Sequence, residues 1–182
     1  MLSISAQKQQ QAIKLEQVQT EIIKDTAQLK TIEKNQAQLK LLIEHLLKEN
    51  RLQSNRSFTV MRNKLNYPIN IDHPIISHSQ NGIIFHAPEH TKVHAVSNGK
   101  VVFADWLNGY GYLVIIDHGR GFMTLYGNNQ TLLKHKGDNV HLGDDIATVG
   151  KSGTFKQTGL YFEIRQKARV VSALNWFQKK AA

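Results

Sequence analysis

Nine histidines and no cysteine confine any metal chemistry in this 182-residue chain to imidazole and carboxylate donors. His86, His90 and His94 recur every four residues, a spacing that would line one face of a helix and invite a metal ion. Pro88 falls inside that run, in a stretch of turn and strand character, so the helical face is not expected to form. His86 and His94 can still meet across adjoining strands, but the plainer expectation is ordinary surface histidines. His118 reads as a turn or strand-end residue holding a backbone hydrogen bond, and His73, His78, His135 and His141 show no ligand spacing. There is no Gly-x-Ser-x-Gly elbow and no thiol nucleophile. No catalytic residue, resident metal or cofactor is therefore expected.

A second chemically suggestive stretch is Leu160-Tyr161-Phe162-Glu163-Ile164-Arg165. Successive side chains of a strand point to opposite faces, so Tyr161, Glu163 and Arg165 share one face and Leu160, Phe162 and Ile164 the other. That contrast reads as core on one side and a groove on the other. Tyrosine and arginine are common anchors of protein interfaces.

The elements that would carry these residues differ sharply along the chain. From Leu15 onward Leu15, Val18, Ile22, Asp25, Leu29, Ile32, Gln36, Leu39, Ile43 and Leu46 follow alternating steps of three and four, and eight of the ten are apolar. No glycine precedes Gly82 and no proline precedes Pro68, so one long helix over residues 1–55 is predicted. So narrow a stripe fits a coiled-coil seam, with Asp25 and Gln36 as polar interruptions that fix register; the alternative is a single amphipathic helix lying on the rest of the protein. A polar connector near Gln53 to Arg56 and a linker over 56–72 lead to short β segments over 73–182. Lys92–Val96, Gly99–Asp105, Tyr112–Asp117, Phe122–Tyr126, Ile146–Val149 and Leu160–Arg165 are predicted strands. Lys136-Gly137-Asp138 and Leu142-Gly143-Asp144-Asp145 are expected to bracket a short hairpin, and Leu174 to Phe177 to pack rings against a sheet edge. The fold class is α plus all-β, a long helix followed by an antiparallel sheet.

Charge narrows the partners. The net charge is +9, with eight Lys/Arg against six Asp/Glu in residues 1–55 and fourteen against eight in 57–182. A basic β region suits an anionic envelope surface or an acidic partner. Nucleic acid is not expected, because no Lys/Arg cluster is interleaved with aromatics. The longest apolar runs are far too short to span a bilayer, and the first residues lack a basic segment followed by an apolar one, so no export signal is expected in this chain.

The order of segments carries a resemblance. Gly82-Ile83-Ile84-Phe85-His86-Ala87-Pro88-Glu89, Gly109-Tyr110-Gly111, Asp117-His118-Gly119, Leu125-Tyr126-Gly127, Lys136-Gly137-Asp138, Val149-Gly150-Lys151-Ser152-Gly153 and Tyr161 to Arg165 resemble the lysostaphin/LytM-type zinc endopeptidase domain over about residues 64–178. The wording of Ala104 to Gly111, Leu125 to Gln130 and Leu160 to Arg165 is closest to the EnvC-type murein hydrolase activators. This resemblance implies a duplicated-hybrid-motif type sheet with degenerate catalytic positions. The two metal ligands of the family's His-x-Gly-x-Asp fall on Gln80 and Ile84, its His-x-His pair on Gly159 and Tyr161, and its remaining catalytic histidine near Asn128.

What the resemblance implies about function follows from those losses. The chain is expected to be a non-enzymatic activator of periplasmic N-acetylmuramoyl-L-alanine amidases at cell separation. Its vacated groove, with Asn81, Ile84, Tyr110, Leu113, Tyr126, Tyr161 and Arg165, would capture a regulatory helix of the amidase. The coiled coil would reach the FtsE–FtsX division complex, although a single helix without a second one leaves that docking region in doubt. Only about twenty residues join helix to domain, which leaves little room for a self-inhibitory arm across the groove. Two alternatives stay open: a zinc metalloendopeptidase acting on peptidoglycan cross-bridges, and a structural peptidoglycan-binding module. Tyr161→Ala and Arg165→Ala are expected to abolish activation with the fold intact.

Overall fold

The computed structural model of the chain describes residues 4–49, 58–71 and 74–178. The connector Gln53 to Arg56 and His73 lie outside the described residues. One helix, α1, runs without a break over Ile4–Glu49, as a glycine-free and proline-free sequence rich in Gln, Lys, Glu and Leu should. The chain divides into two compact units, 1–38 and 39–182, and the division falls inside α1. In the first unit the seam residues Leu15, Val18, Ile22 and Leu29 are exposed.

The second unit begins with the last turns of α1 and continues into a ten-stranded antiparallel sheet. The strands are β1 (Ile76–His78), β2 (Ile83–Phe85), β3 (Lys92–His94), β4 (Gly99–Leu107), β5 (Gly111–Gly119), β6 (Phe122–Leu132), β7 (Asn139–Val140), β8 (Asp145–Val149), β9 (Leu160–Gln166) and β10 (Arg169–Val171). The main path is β1-β2-β9-β6-β5-β4-β7; β8 pairs with β3 and β6, and β10 with β9. Two expectations are corrected here. No hairpin forms between Lys136 and Asp145, because β7 pairs with β4 instead. The Asp138 carboxylate accepts the His135 N–H (2.8 Å) and that of Asp144 the His141 N–H (3.0 Å), so each Gly-Asp turn closes on itself and sends the chain to a different strand. The C-terminal rings are not at a sheet edge either. Trp176 stacks on Phe58 at 4.8 Å and Phe177 meets Phe85 at 5.7 Å, both inside the core.

Strand β6 organises the site. It pairs with β9 from Phe122 to Gly127 and with β8 from Asn129 to Leu132. Between those stretches Asn128 adopts φ 64°, a left-handed conformation that asparagine tolerates better than most residues, and the strand changes partner there.

The sheet is covered on both faces. The inner cluster contains Phe85, Val101, Val114, Ile116, Tyr126, Phe162 and Ile164, closed by Phe58, Trp176 and Phe177. The outer cluster contains Val102, Tyr110, Leu113, Ile115, Met123, Leu125 and Tyr161, and is closed by Leu39, Ile43 and Leu46 of α1. Those three stand at i, i+4 and i+7, one face of a helix, and none exposes more than 1% of its surface. Full burial of such a side chain is worth about 1.5–3 kcal/mol.

Candidate functional site

Strand β9 presents its two faces as its alternation requires. Leu160, Phe162 and Ile164 enter the inner cluster, while Tyr161 enters the outer one. Tyr161 is stacked by Phe155 at 5.1 Å and met edge-on by Tyr110 at 5.3 Å. Its hydroxyl donates to Glu163 Oε2 at 2.5 Å, and Arg165 Nε donates to Glu163 Oε1 at 2.6 Å. Arg165 also donates from Nη1 to the Ala168 carbonyl at 3.3 Å. Tyr161, Glu163 and Arg165 thus form a ladder along one strand face, and all three are buried.

Burial dominates the electrostatics of the ladder. It raises the Glu163 carboxyl above its ordinary value, with the Arg165 charge and the Tyr161 hydroxyl pulling the other way. Burial, then the Glu163 charge, pushes Tyr110 up to about 12, and the same causes hold Tyr161 well above its usual range. Both phenols therefore keep their protons near neutrality. A buried carboxylate with one cationic partner and one hydroxyl donor depends on both, because an unpaired charge in this environment is costly.

The structure brings Tyr110, Leu113 and Tyr161 into one cluster, with Ile84 half-buried at its margin. Asn81 sits in the turn between β1 and β2, partly exposed. Tyr126 does not belong with them. It points into the inner cluster, where its hydroxyl accepts the Val96 N–H at 3.1 Å, because Leu125 and Met123 take the outer face of β6. Little room is expected for a separate arm across this face. The last turns of α1 themselves lie on the face, and Glu49 pairs with Lys136 at 3.4 Å. Sequence reasoning missed Phe155, placed Glu163 on this face without counting it among the site residues, and held a helix lying on the rest of the protein only as the alternative to a coiled coil; the i, i+4, i+7 triplet Leu39, Ile43 and Leu46 was the available signal for that cover.

The positions to which the resemblance carries zinc ligands and catalytic histidines hold other side chains in other roles. Ile84 has no donor atom, and Gln80 is exposed in a turn. Gly159 has no side chain, and a Cβ there would lie 2.6 Å from the Phe85 carbonyl oxygen, so no ligand fits without moving β2. The Tyr161 hydroxyl is committed to Glu163. The Asn128 amide donates to the Gly150 and Gly159 carbonyls at 3.2 and 2.8 Å and accepts the Gly153 N–H at 2.8 Å, which ties the connection between β8 and β9 to β6 at both of its ends. This donor set does not fit zinc.

The other histidines are dispersed. His86 Nε2 lies 2.8 Å from Ser77 Oγ, His94 Nδ1 lies 2.9 Å from Asp145 Oδ1, and His90 is an exposed turn residue with φ 66°. His118 is fully buried against Phe58, with Nδ1 donating to the Asn98 carbonyl at 2.7 Å and Nε2 2.7 Å from Thr124 Oγ1. Burial pulls it down to about 4, so it is a neutral structural residue near pH 7.

Residues 78–173 match peptidase family M23. The murein hydrolase activator EnvC of Escherichia coli K12 is 45% identical over 95 residues, 52% of this chain and 23% of that protein. The murein hydrolase activator NlpD of the same organism is 39% identical over 87 residues, 47% of this chain and 23% of NlpD. The chain thus matches about a quarter of the length of these relatives. Among solved structures, a putative M23 peptidase from Pseudomonas aeruginosa superposes with a TM-score of 0.65 at 21% identity, covering 84% of this chain and 63% of the other. A zinc-containing peptidase from Vibrio cholerae gives 0.58 at 23% identity, over 66% and 41%.

Proposed function

The chain belongs to peptidase family M23, and from that premise we propose that it is a non-enzymatic activator of murein hydrolases whose outer sheet face captures a helix of a peptidoglycan amidase. The observation that carries the proposal is the occupant already on that face. Leu39, Ile43 and Leu46 lay the apolar side of a helix on Tyr110, Leu113, Leu125 and Tyr161, in the helix-in-groove mode of peptide recognition. A face that accepts one amphipathic helix has the shape and chemistry to accept another. The relatives named as activators support the same reading, as does a donor set that does not fit zinc.

The α1 cover and an amidase helix would compete for one surface. Stimulation then depends on lifting residues 39–49, and a ligand favours the open state only by its differential affinity for it. The remainder of α1 would connect that event to a membrane-bound division complex on the periplasmic side of the envelope. The experiment is an amidase assay with and without the chain, using wild type, Ile84→Glu at the margin of the face, and Leu39→Asp/Ile43→Asp in its cover. The cover variant should stimulate more than wild type and Ile84→Glu less, with both remaining folded by circular dichroism. Equal stimulation by all three would place the interface elsewhere. Zinc bound stoichiometrically with peptidoglycan cleavage would overturn the non-enzymatic reading.

A further inference from the structure

Residues 4–38 are one stretch of α1, and their apolar stripe is bare. Leu15, Val18, Ile22 and Leu29 are 60, 45, 59 and 55% exposed. With Asp25 they follow one another at steps of three and four, so they share a single line along the helix. Helices in water owe most of their stability to the packing of such a stripe, and one this narrow fits the seam between two helices. Farther along the same line, Leu39, Ile43 and Leu46 are taken up by the sheet.

The charges along this stretch specify what covers it. Over residues 4–29, the charged side chains on the seam or directly flanking it are Lys8 and Lys14 in the first half and Glu21 and Asp25 in the second. Lys8 and Asp25 stand on the seam, Lys14 and Glu21 beside it. Two copies packed parallel and in register would set Lys8 against Lys8 and Asp25 against Asp25, and like charges so placed repel. Reversing one copy, with Leu15 of one facing Val18 of the other, exchanges every such clash for an attraction. That alignment sets Lys8 against Asp25 and Gln11 against Ile22, and brings Lys14 within a turn of Glu21, each twice by symmetry. The overlap of residues 4–29 is about 39 Å long at 1.5 Å per residue, between three and four heptads.

We propose that residues 4–29 of α1 are a self-association surface, occupied by the same segment of a second copy of this chain packed antiparallel about a two-fold axis between Leu15 and Val18. Asp25 is then the residue that sets orientation and register. It gives up apolar contact on the seam and finds its opposite charge in that alignment, the known use of a polar seam residue. The surface shares no residue with the helix-capturing face or with its cover, so its failure would leave that reading untouched.

The test is sedimentation equilibrium of the whole chain, where a dimer of twice the 20.7 kDa monomer is expected. Asp25→Lys should weaken dimerisation about tenfold, because two partly exposed attractions become repulsions, and Lys8→Asp/Asp25→Lys should restore it. Orientation is read by disulfide trapping, since the chain has no cysteine of its own. Gln11→Cys and Ile22→Cys variants, mixed and oxidised, should cross-link to each other and not to themselves, because in this alignment the two copies of position 11 lie about 16 Å apart along the axis. A monomer at the concentration of an NMR sample, whether the stripe stays bare or is covered from within its own chain, would overturn the assignment. So would cross-links of each variant with itself, an assembly larger than a dimer, or a charge swap that fails to restore pairing.

Discussion

The two faces of the sheet are closed by different means. The inner face is sealed by the sheet's own connections: Phe58, Trp176 and Phe177 come from segments that hydrogen-bond to the domain, as Leu65 N–H does to the Trp176 carbonyl at 2.9 Å. The outer face is sealed by three side chains of one helical segment, and Lys136–Glu49 is a half-exposed ion pair of the kind that contributes little. Both faces are equally dry, but the inner cover is bonded to the domain through the main chain, whereas the outer cover meets the sheet through side chains. Burial alone therefore does not distinguish a core from an occupied binding surface. The distinction lies in how the cover is attached.

The comparison breaks most visibly through charge in the ladder. Arg165→Ala leaves Glu163 buried without its cation and should cost about 3–5 kcal/mol. The arginine is thus a poor probe of binding by itself, contrary to the expectation that its removal spares the fold, and urea denaturation should show a large loss of stability before any assay is run. On the inner face Phe162→Ala should cost a similar 3–5 kcal/mol by leaving a cavity among Phe85, Tyr126 and Phe177. Leu39→Asp/Ile43→Asp should behave differently. It removes the outer cover, so hydrogen exchange should accelerate in residues 39–49 while the amides of β5, β6 and β9 stay protected. Loss of protection in those strands would show that the two faces unfold together and that the cover is core.

The pH dependence sharpens the inner face. His118 is neutral and depressed to about 4 when folded, against about 6.5 when unfolded. Between these values the unfolded chain binds the extra proton, so stability is full above the unfolded value and is lost as pH falls toward 4, by about 3 kcal/mol. Asp117 and Glu163, both raised by burial, act in the opposite sense and lose stability as pH rises through their folded values. The difference between wild type and His118→Gln in urea melts at pH 7 and 4.5 isolates the histidine. A ring that titrates near its ordinary value by NMR would refute the depressed state. The smallest effect is expected from Lys136→Ala, at most about 1 kcal/mol, read as a slight rise in amidase stimulation.

Much of this was legible in the sequence where a pattern contrasts two environments. Leu160 to Arg165 alternates aliphatic or aromatic with Tyr/Glu/Arg, so the period of two declared both faces of β9. Phe122 to Tyr126 gives no such contrast, because both faces of β6 are covered and every residue there is buried, and Tyr126 was accordingly assigned to the wrong side. The α1 seam was readable, but Leu39, Ile43 and Leu46 look like Leu15, Val18 and Ile22. Periodicity says which side of a helix is apolar and not what lies against it. The paired Gly-Asp turns around β7 were recognised as turns, while the strand each serves depended on long-range pairing that local sequence does not encode.

Asn128 shows what a metal ligand in this cleft would cost. Its side chain fastens the connection between β8 and β9, from Gly150 to Gly159, at the point where β6 changes partner. A histidine there would release those fastenings, and one at Gly159 would collide with β2. A metal site at these positions could thus not be assembled one ligand at a time, since each step weakens the scaffold before any metal could reward it.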